Sequence, residues 1–219
     1  MTRITRRLLR EDVYGAVFER IVHGGLTPGM RVRDTAIAEE LGVSRTPVRE
    51  ALVRLSEDGF LTADAGRGFR VRGLALDEVL DTYPILWTLE GLGLRSSAPL
   101  TAAQLARLDE LNAALSGAGD DVPRRIALDE EWHRALLAGC RNRELLRLVD
   151  GMKRRMHVYE HHYWQEGSVE QSTQEHERIA RALAAGDLDA AVAGLEDNFR
   201  GTMQRLARRL QSAAPAAPR

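Results

Sequence analysis

The sequence predicts a mainly α protein in two parts, with a small β-hairpin between them. Three observations carry this. Aromatics make up only 5% of the 219 residues, so the core must rest on Leu, Val, Ile and Ala. Ala, Leu, Arg and Glu favour helix, whereas strands draw on β-branched and aromatic side chains. Apolar residues recur at helical spacing before and after one short interval. There, Phe60-Leu61-Thr62 and Gly68 to Arg72 read as two β-like runs around a Gly66-Arg67-Gly68 turn.

The hydrophobic fraction of 44% and charged fraction of 29% fit a globular protein. The single cysteine, Cys140, excludes an intrachain disulfide framework and fits a reducing compartment. No Cys–His pairing pattern surrounds it, so it reads as a buried thiol without a catalytic role. No apolar run approaches a membrane span, and the N-terminus lacks a signal-peptide core; a cytoplasmic protein with no membrane partner is expected. The net charge of −1 conceals an asymmetry. Residues 1–72 hold 13 arginines against 10 acidic residues, and the remainder holds 18 basic against 22 acidic. A mildly basic front joined to a mildly acidic rest favours a nucleic-acid module attached to something else.

Taken in order, residues 1–9 are basic and expected to be loose. Val13, Val17, Ile21 and Val22 sit at helical spacing, and His23-Gly24-Gly25 ends that helix. Leu26-Thr27-Pro28-Gly29 is turn chemistry. Asp34 is placed to cap a short helix through Leu41, with Ile37, Ala38 and Leu41 facing inward. Gly42 suits the left-handed conformation that closes a helix, and Ser44 can accept from the free N–H groups of the next. Pro47 falls in that helix's first turn, where a missing N–H costs nothing. Val48, Leu52 and Leu55 form its buried face, while Arg45 and Arg49 leave its start on another. Three helices and a hairpin make a winged helix, and a helix N-terminus carrying Arg45, Thr46 and Arg49 behind a tight turn suits a major groove.

These residues carry a resemblance. The pieces are Gly25-Leu26-Thr27-Pro28-Gly29, the run from Ile37 to Leu52, then Leu55, Gly59-Phe60-Leu61 and Gly66-Arg67-Gly68. Residues 13–71 resemble the DNA-binding domain of GntR-family bacterial transcription regulators. The resemblance implies that Arg45 and Arg49 contact DNA and that Gly66 lies at the wing tip. Arg33, Ser44, Arg45, Thr46, Arg49, Gly66 and Arg67 are the candidate DNA contacts.

From Asp77, a candidate cap, to about Leu210 only helices are expected, near 77–97, 101–117, 122–139, 142–165, 169–185 and 187–210. Pro99, Gly117 to Gly119, Pro123, Gly167-Ser168 and Gly186-Asp187 punctuate them, with Thr101 and Asp187 as N-caps. Pro84 sits inside the first. The expected domains are a winged helix over 1–73, an all-α antiparallel helical bundle over 74–210, and a disordered tail over 211–219. Leu89-Glu90, Asp129 to His133, Asn142 with Leu145, and Glu175 to Ile179 running into Ala185-Gly186-Asp187 resemble the ligand-sensing FCD domain of the FadR subfamily.

Asp129 and His133 are i and i+4 and share a helix face; His176 lies on another helix. From spacing alone these are as well read as hydrogen-bonded core groups. In metal-binding members of the subfamily an aspartate and three histidines hold a divalent ion. Asp129, His133 and His176 match three of those positions, and Asn198 stands at the fourth. The resemblance thus implies a divalent metal, with Zn, Ni, Co or Mn suited to the donor set. His157, His161 and His162 fall beside Arg154, Arg155 and Glu160 and read mainly as a solvated face. Members that sense carboxylates carry an arginine where this chain has Leu86. The expected effector pocket is therefore Leu86 with Arg154, Arg155 and His157, for a small molecule such as an organic acid.

The expected function is a dimeric, ligand-responsive transcription regulator on a palindromic double-stranded DNA operator, not an enzyme. Two alternatives stand beside it. One is a metal-dependent enzyme built on the Asp–His cluster; the other is a constitutive DNA-binding protein whose helical part only dimerises.

Overall fold

The computed structural model describes residues 6–64, 68–73, 75–163 and 168–213, with the side chains of 6–9, 157–163, 168 and 213 left aside. The chain divides into two compact units, Met1–Leu74 and Ala75–Arg219.

The first unit runs α1 (Arg6–Val22), β1 (Arg31–Val32), α2 (Asp34–Leu41), α3 (Arg45–Glu57), β2 (Leu61–Asp64) and β3 (Gly68–Val71). Val17, Ile21, Val48, Ala51, Leu52 and Leu55 are essentially inaccessible, so α1 packs across the inner face of α3. Phe18 meets Phe60 edge to face at 5.0 Å between ring centroids, which ties α1 to the entry of the wing. Gly42 adopts φ 64°, ψ 32°, and this left-handed residue sets the sharp turn between α2 and α3.

Several local expectations are corrected. The expected two-stranded wing is a three-stranded antiparallel sheet in the order β1-β3-β2, because Arg31 and Val32 pair with Arg70 and Phe69. Helix α1 begins at Arg6, within the stretch expected to be loose. Asp34 is the first residue of α2 and not its cap; Arg33 holds the cap position, and the Asp34 carboxylate turns to Arg45 instead. Ser44 has the extended backbone of an N-cap, but its hydroxyl makes no capping hydrogen bond.

The second unit is helical: α4 (Leu76–Ser97), α5 (Ala102–Ser116), α6 (Val122–Leu136), α7 (Arg143–Tyr163), α8 (Ser168–Ala184) and α9 (Leu188–Ala213). α4 packs on α7 and α9, α5 on α6 and α8, and α8 on α9. Tyr83, Leu86, Leu94, Leu108, Leu115, Ile126 and Trp132 make its core. Thr101 caps α5 with a full capping box: its Oγ1 accepts from the Gln104 N–H at 3.3 Å, and its own N–H donates to Gln104 Oε1 at 2.8 Å. Asp121, Asn142 and Asp187 cap α6, α7 and α9 through carboxylate or amide oxygens. Asp77 lies in the first turn of α4, whose N-cap is Ala75, so its charge meets the helix dipole without capping it. Helix α9 extends to Ala213, into the stretch expected as a disordered tail.

Candidate nucleic-acid interface and metal centre

In the first unit, the buried face of α3 fixes what its other face presents. With Val48, Ala51, Leu52 and Leu55 turned inward, Arg45, Thr46 and Arg49 stand exposed on the first turns. They line one groove of about 700 Å³ with Arg10, Val53 and Arg54. Arg45 is 63% exposed, yet its Nη2 donates to Asp34 Oδ2 at 3.0 Å. That hydrogen bond, with the charge of Arg45 beside it, holds the Asp34 carboxyl below the usual carboxylate range despite partial burial. Arg33 and Ser44 are exposed but outside the groove. Gly66 and Arg67 lie outside the described residues.

In the second unit, α6 delivers Asp129 and His133 and α8 delivers His176. Their ligand-type atoms lie within 4.8 Å of one another. His133 Nε2 is 3.9 Å from Asp129 Oδ2, and His176 Nε2 is 3.6 Å from Asp129 Oδ1. Both rings are almost wholly buried. Each is oriented by its other nitrogen. His133 Nδ1 lies 2.9 Å from Glu90 Oε2, and His176 Nδ1 lies 3.1 Å from Asn112 Oδ1. Asn112 is itself fixed by donating to the Thr173 carbonyl at 3.0 Å. A proton on each Nδ1 leaves both Nε2 lone pairs facing Asp129. Outer partners of this kind set the tautomer of metal-bound histidines.

The electrostatics favour a cation between these groups. His176 Nε2 is buried without a hydrogen-bond partner, a costly condition for a polar atom. Burial, and then the charges of His133 and Lys153, hold the His176 pKa well below the ordinary histidine value. The ring is therefore neutral and its lone pair available. Burial also pushes the Asp129 carboxyl up, against the pull of His133 and Lys153, so the carboxylate lacks enough positive charge around it. The donor set of one carboxylate and two imidazoles with unengaged Nε2 atoms fits a divalent transition ion. Trp132 stacks flat on the His176 ring at 3.7 Å and 3° between planes, which fixes the ring further.

Asn198 comes to the same place. It lines a cavity of about 30 Å³ with Leu86, Asp129, His133, Lys153 and Phe199. Its Nδ2 donates to Glu175 Oε2 at 2.8 Å, so the amide nitrogen is committed to that carboxylate. Of the expected effector residues, Leu86 lines this small cavity, whereas Arg154 lines a larger one between α6 and α7. Arg155 pairs with Glu78 and belongs to neither. The His157 side chain is outside those described.

Glu90 enters the sequence reading only as part of the resemblance and not as orienter of His133, while Asn112, which orients His176, and Lys153 are not singled out at all. The Lys153 ammonium lies 2.5 Å from Glu90 Oε1 and 5.6 Å from the Phe199 ring centre. Burial opposes the charge on Glu90, but Lys153 and His133 together hold its pKa below the ordinary value. These partners lie 43 to 64 residues apart in sequence. Besides the resemblance, the signal for Glu90 is a carboxylate at a core position of α4, between Leu86 and Leu94.

A winged helix with an arginine-bearing recognition helix, ahead of a helical unit with a polar cluster at its centre, defines a two-part DNA-binding regulator. Residues 9–71 match the gntR family of bacterial regulatory proteins, and residues 81–201 match the FCD domain. The chain belongs to the GntR family of transcription regulators and carries an FCD domain. It is 33% identical over 159 residues to the Nta operon transcriptional regulator of Aminobacter aminovorans, covering 72% of this chain and 75% of that one. Among solved structures, McbR/YncC of E. coli shares the fold with a TM-score of 0.79 at 24% identity, over 92% of this chain and 98% of that one. A GntR-family regulator from Pseudomonas syringae pv. tomato aligns with a TM-score of 0.57 at 27% identity, covering 95% and 88%. The family is one of DNA-binding, ligand-responsive regulators and not of enzymes, which sets aside the metal-dependent enzyme. Among the described residues, no helix is long and apolar enough to cross a membrane.

Proposed function

We propose that this regulator binds a palindromic operator as a homodimer in the cytoplasm and that a divalent metal in its helical unit takes part in the response to a small molecule. One observation carries the metal reading: His133 and His176 present unengaged Nε2 atoms to Asp129 while Glu90 and Asn112 occupy their Nδ1 atoms. Asp129, His133 and His176 would hold the ion, with Asn198 Oδ1 as a further oxygen donor. Bound there, the ion supplies positive charge and open coordination positions. Glu90 and Asn112 hold the imidazole protons away from it, and Leu86 and Phe199 supply apolar lining beside it.

On the DNA side, Arg45, Thr46 and Arg49 would read base edges, with Arg33, Ser44, Gly66 and Arg67 as further contacts. One recognition helix reads only a few base pairs, so two-fold pairing of half-sites supplies the rest of the specificity. The single reduced cysteine and the DNA target support a cytoplasmic setting.

The deciding experiment is metal analysis of the purified full-length protein before and after His133→Ala, with operator binding in parallel. Stoichiometric ion in the parent and none in the variant, with DNA affinity retained, is expected. A parent without ion that binds none on titration would reduce the cluster to a polar core.

A further inference from the structure

The wing sheet has two faces of opposite character. Its strands alternate, so Val32, Leu61, Phe69 and Val71 are buried against the rest of the first unit. The other face carries Arg31, Thr62 and Arg70. The register sets them side by side, with Arg31 and Thr62 each opposite Arg70. Arg33 and Arg72, two residues on from Arg31 and Arg70, continue the same face. Asp64 is the one acidic residue of the three strands.

This excess of positive charge is not neutralised locally. Arg31 Nη2 and Arg70 Nη2 share a single oxygen, Asp64 Oδ2, at 3.8 and 3.7 Å, beyond hydrogen-bond length. Both arginine side chains are 41% exposed, and pairs in that setting hold weakly. Asp34, the acidic neighbour of Arg33, gives its carboxylate to Arg45. No ion pair engages Arg33 among the described residues. Beside Arg33 the face is bare backbone. Gly68 lies opposite Asp64 with φ 95°, and a Cβ there would come within 3.0 Å of the Val32 carbonyl oxygen. No side chain covers this point, so an anion can come down to the sheet between the guanidinium groups.

We infer that the solvent face of the wing sheet is a second DNA contact, in which Arg31, Arg33 and Arg70 take phosphates beside the half-site that α3 reads and Asp64 limits their pull. This goes beyond the base reading proposed above, which includes Arg33 alone of these residues, and rests on it only for where the duplex lies. The face looks away from the core beneath it, so it meets the backbone to the side of the groove that α3 enters. Arg33 adjoins α2, whose Asp34 holds Arg45 of α3, so the row starts beside the reading helix and runs outward from it. Alternate residues of a strand stand about 6.6 Å apart, which spreads the guanidinium groups along a backbone instead of gathering them on one base. Their planar forks suit phosphate oxygens.

The test is fluorescence anisotropy of the full-length protein on an operator selected from a random duplex pool, prepared in two lengths. One ends at the half-sites; the other carries about ten further base pairs, one helical turn, on each side. Arg70 also donates to the Gly29 carbonyl, so Arg31 carries the test. Arg31→Gln should weaken the long duplex roughly threefold or more near 0.1 M salt, and make log affinity against log salt shallower by about 1. The short duplex and the base preference should not change. Arg31→Lys keeps the charge and should keep the slope. Asp64→Asn should tighten the long duplex and steepen its slope. An unchanged slope in Arg31→Gln, equal losses on both lengths, or weaker binding in Asp64→Asn overturns the assignment. Tighter binding in Arg31→Gln overturns it too, and would mean that acidic groups of this chain cover the face in place of DNA. Arg45→Ala separates the two readings. If it loses base preference while Arg31→Gln changes nothing, the base reading stands and this inference fails. If it keeps base preference while Arg31→Gln lowers the slope on the long duplex, the reverse holds.

Discussion

Glu90 Oε2 sits 2.9 Å from His133 Nδ1, wholly buried, and its other oxygen sits 2.5 Å from Lys153 Nζ. One carboxylate thus orients a candidate ligand and anchors a half-buried cation. Glu90→Gln keeps the shape but not the charge. An amide is a poorer partner for the imidazole N–H, and Lys153 loses its counter-charge. The expected outcome is metal affinity lower by about 10–100-fold, the range seen for outer partners of metal-bound histidines. Asn198→His should tighten the ion by adding an imidazole. Competitive titration against a chelator of known affinity reads both, and an unchanged affinity in Glu90→Gln would remove Glu90 from the metal site.

The Asp34–Arg45 hydrogen bond ties the first turn of α2 to the recognition helix. Arg45→Ala should cost ~1–3 kcal/mol of operator affinity and relax base preference at one position of each half-site. Asp34→Asn should act differently. Removing a negative charge near DNA raises non-specific affinity, while Arg45 loses the partner that positions it. Specific-to-nonspecific selectivity should therefore fall. Gel shifts with operator and scrambled DNA at two salt concentrations separate the two variants. Equal selectivity in parent and Asp34→Asn would show that Asp34 does not position Arg45.

The recognition unit was legible in sequence because its signals are local. Gly42, Pro47 and the spacing of Val48, Leu52 and Leu55 each act within one or two helical turns. β1 was not legible, since two residues have no periodicity and Arg31–Val32 becomes a strand only by pairing with β3, some 38 residues on. The caps at Thr101 and Asp187 are legible; Ser44 holds its cap position without the hydrogen bond, and Asp34 and Asp77 lie inside the first turns of their helices. A residue type that can cap does so only when nothing else claims it, and Arg45 claims Asp34. Convergence of Asp129, His133 and His176 followed the resemblance, but the partners that orient the rings come from α4 and α5 and have no sequence period linking them.

Acidification should weaken the metal-free helical unit. His176 is held neutral in the folded protein by burial and by the nearby charges of His133 and Lys153, so its folded pKa lies well below its unfolded value. An unfolded histidine takes up its proton near pH ~6.5. Below that pH the unfolded chain binds a proton that the folded one refuses, and stability falls as pH drops until the folded pKa is reached. Thermal melts of chelator-treated protein between pH 7.5 and 5.5 should show a declining midpoint, and His176→Asn should flatten the decline. An equally steep decline in His176→Asn would assign it to other groups.

The junction after α6 should be intolerant of even one methyl. A Cβ built on Gly139 would lie 2.8 Å from the Ser97 carbonyl oxygen and 3.1 Å from the Ser97 Cα. Both are backbone atoms at the end of α4, so no side-chain rotation relieves the clash; one segment must move. Ser97 is itself held, with its hydroxyl donating to the Gly93 carbonyl at 2.9 Å. Gly139→Ala should therefore destabilise by ~1–3 kcal/mol, the range for overpacking a close contact. For a chain of this size that is a drop of about 2–4 °C in midpoint per kcal/mol. Gly151 is the internal control. It lies inside α7, and a Cβ there meets nothing within 4 Å. Alanine removes the entropy that glycine loses on entering a helix, so Gly151→Ala should stabilise by ~0.5–1 kcal/mol. Denaturant melts of the two variants should move in opposite directions from the parent. A Gly139→Ala variant that melts with the parent would show that the backbone at Ser97 yields to a methyl at position 139 without cost.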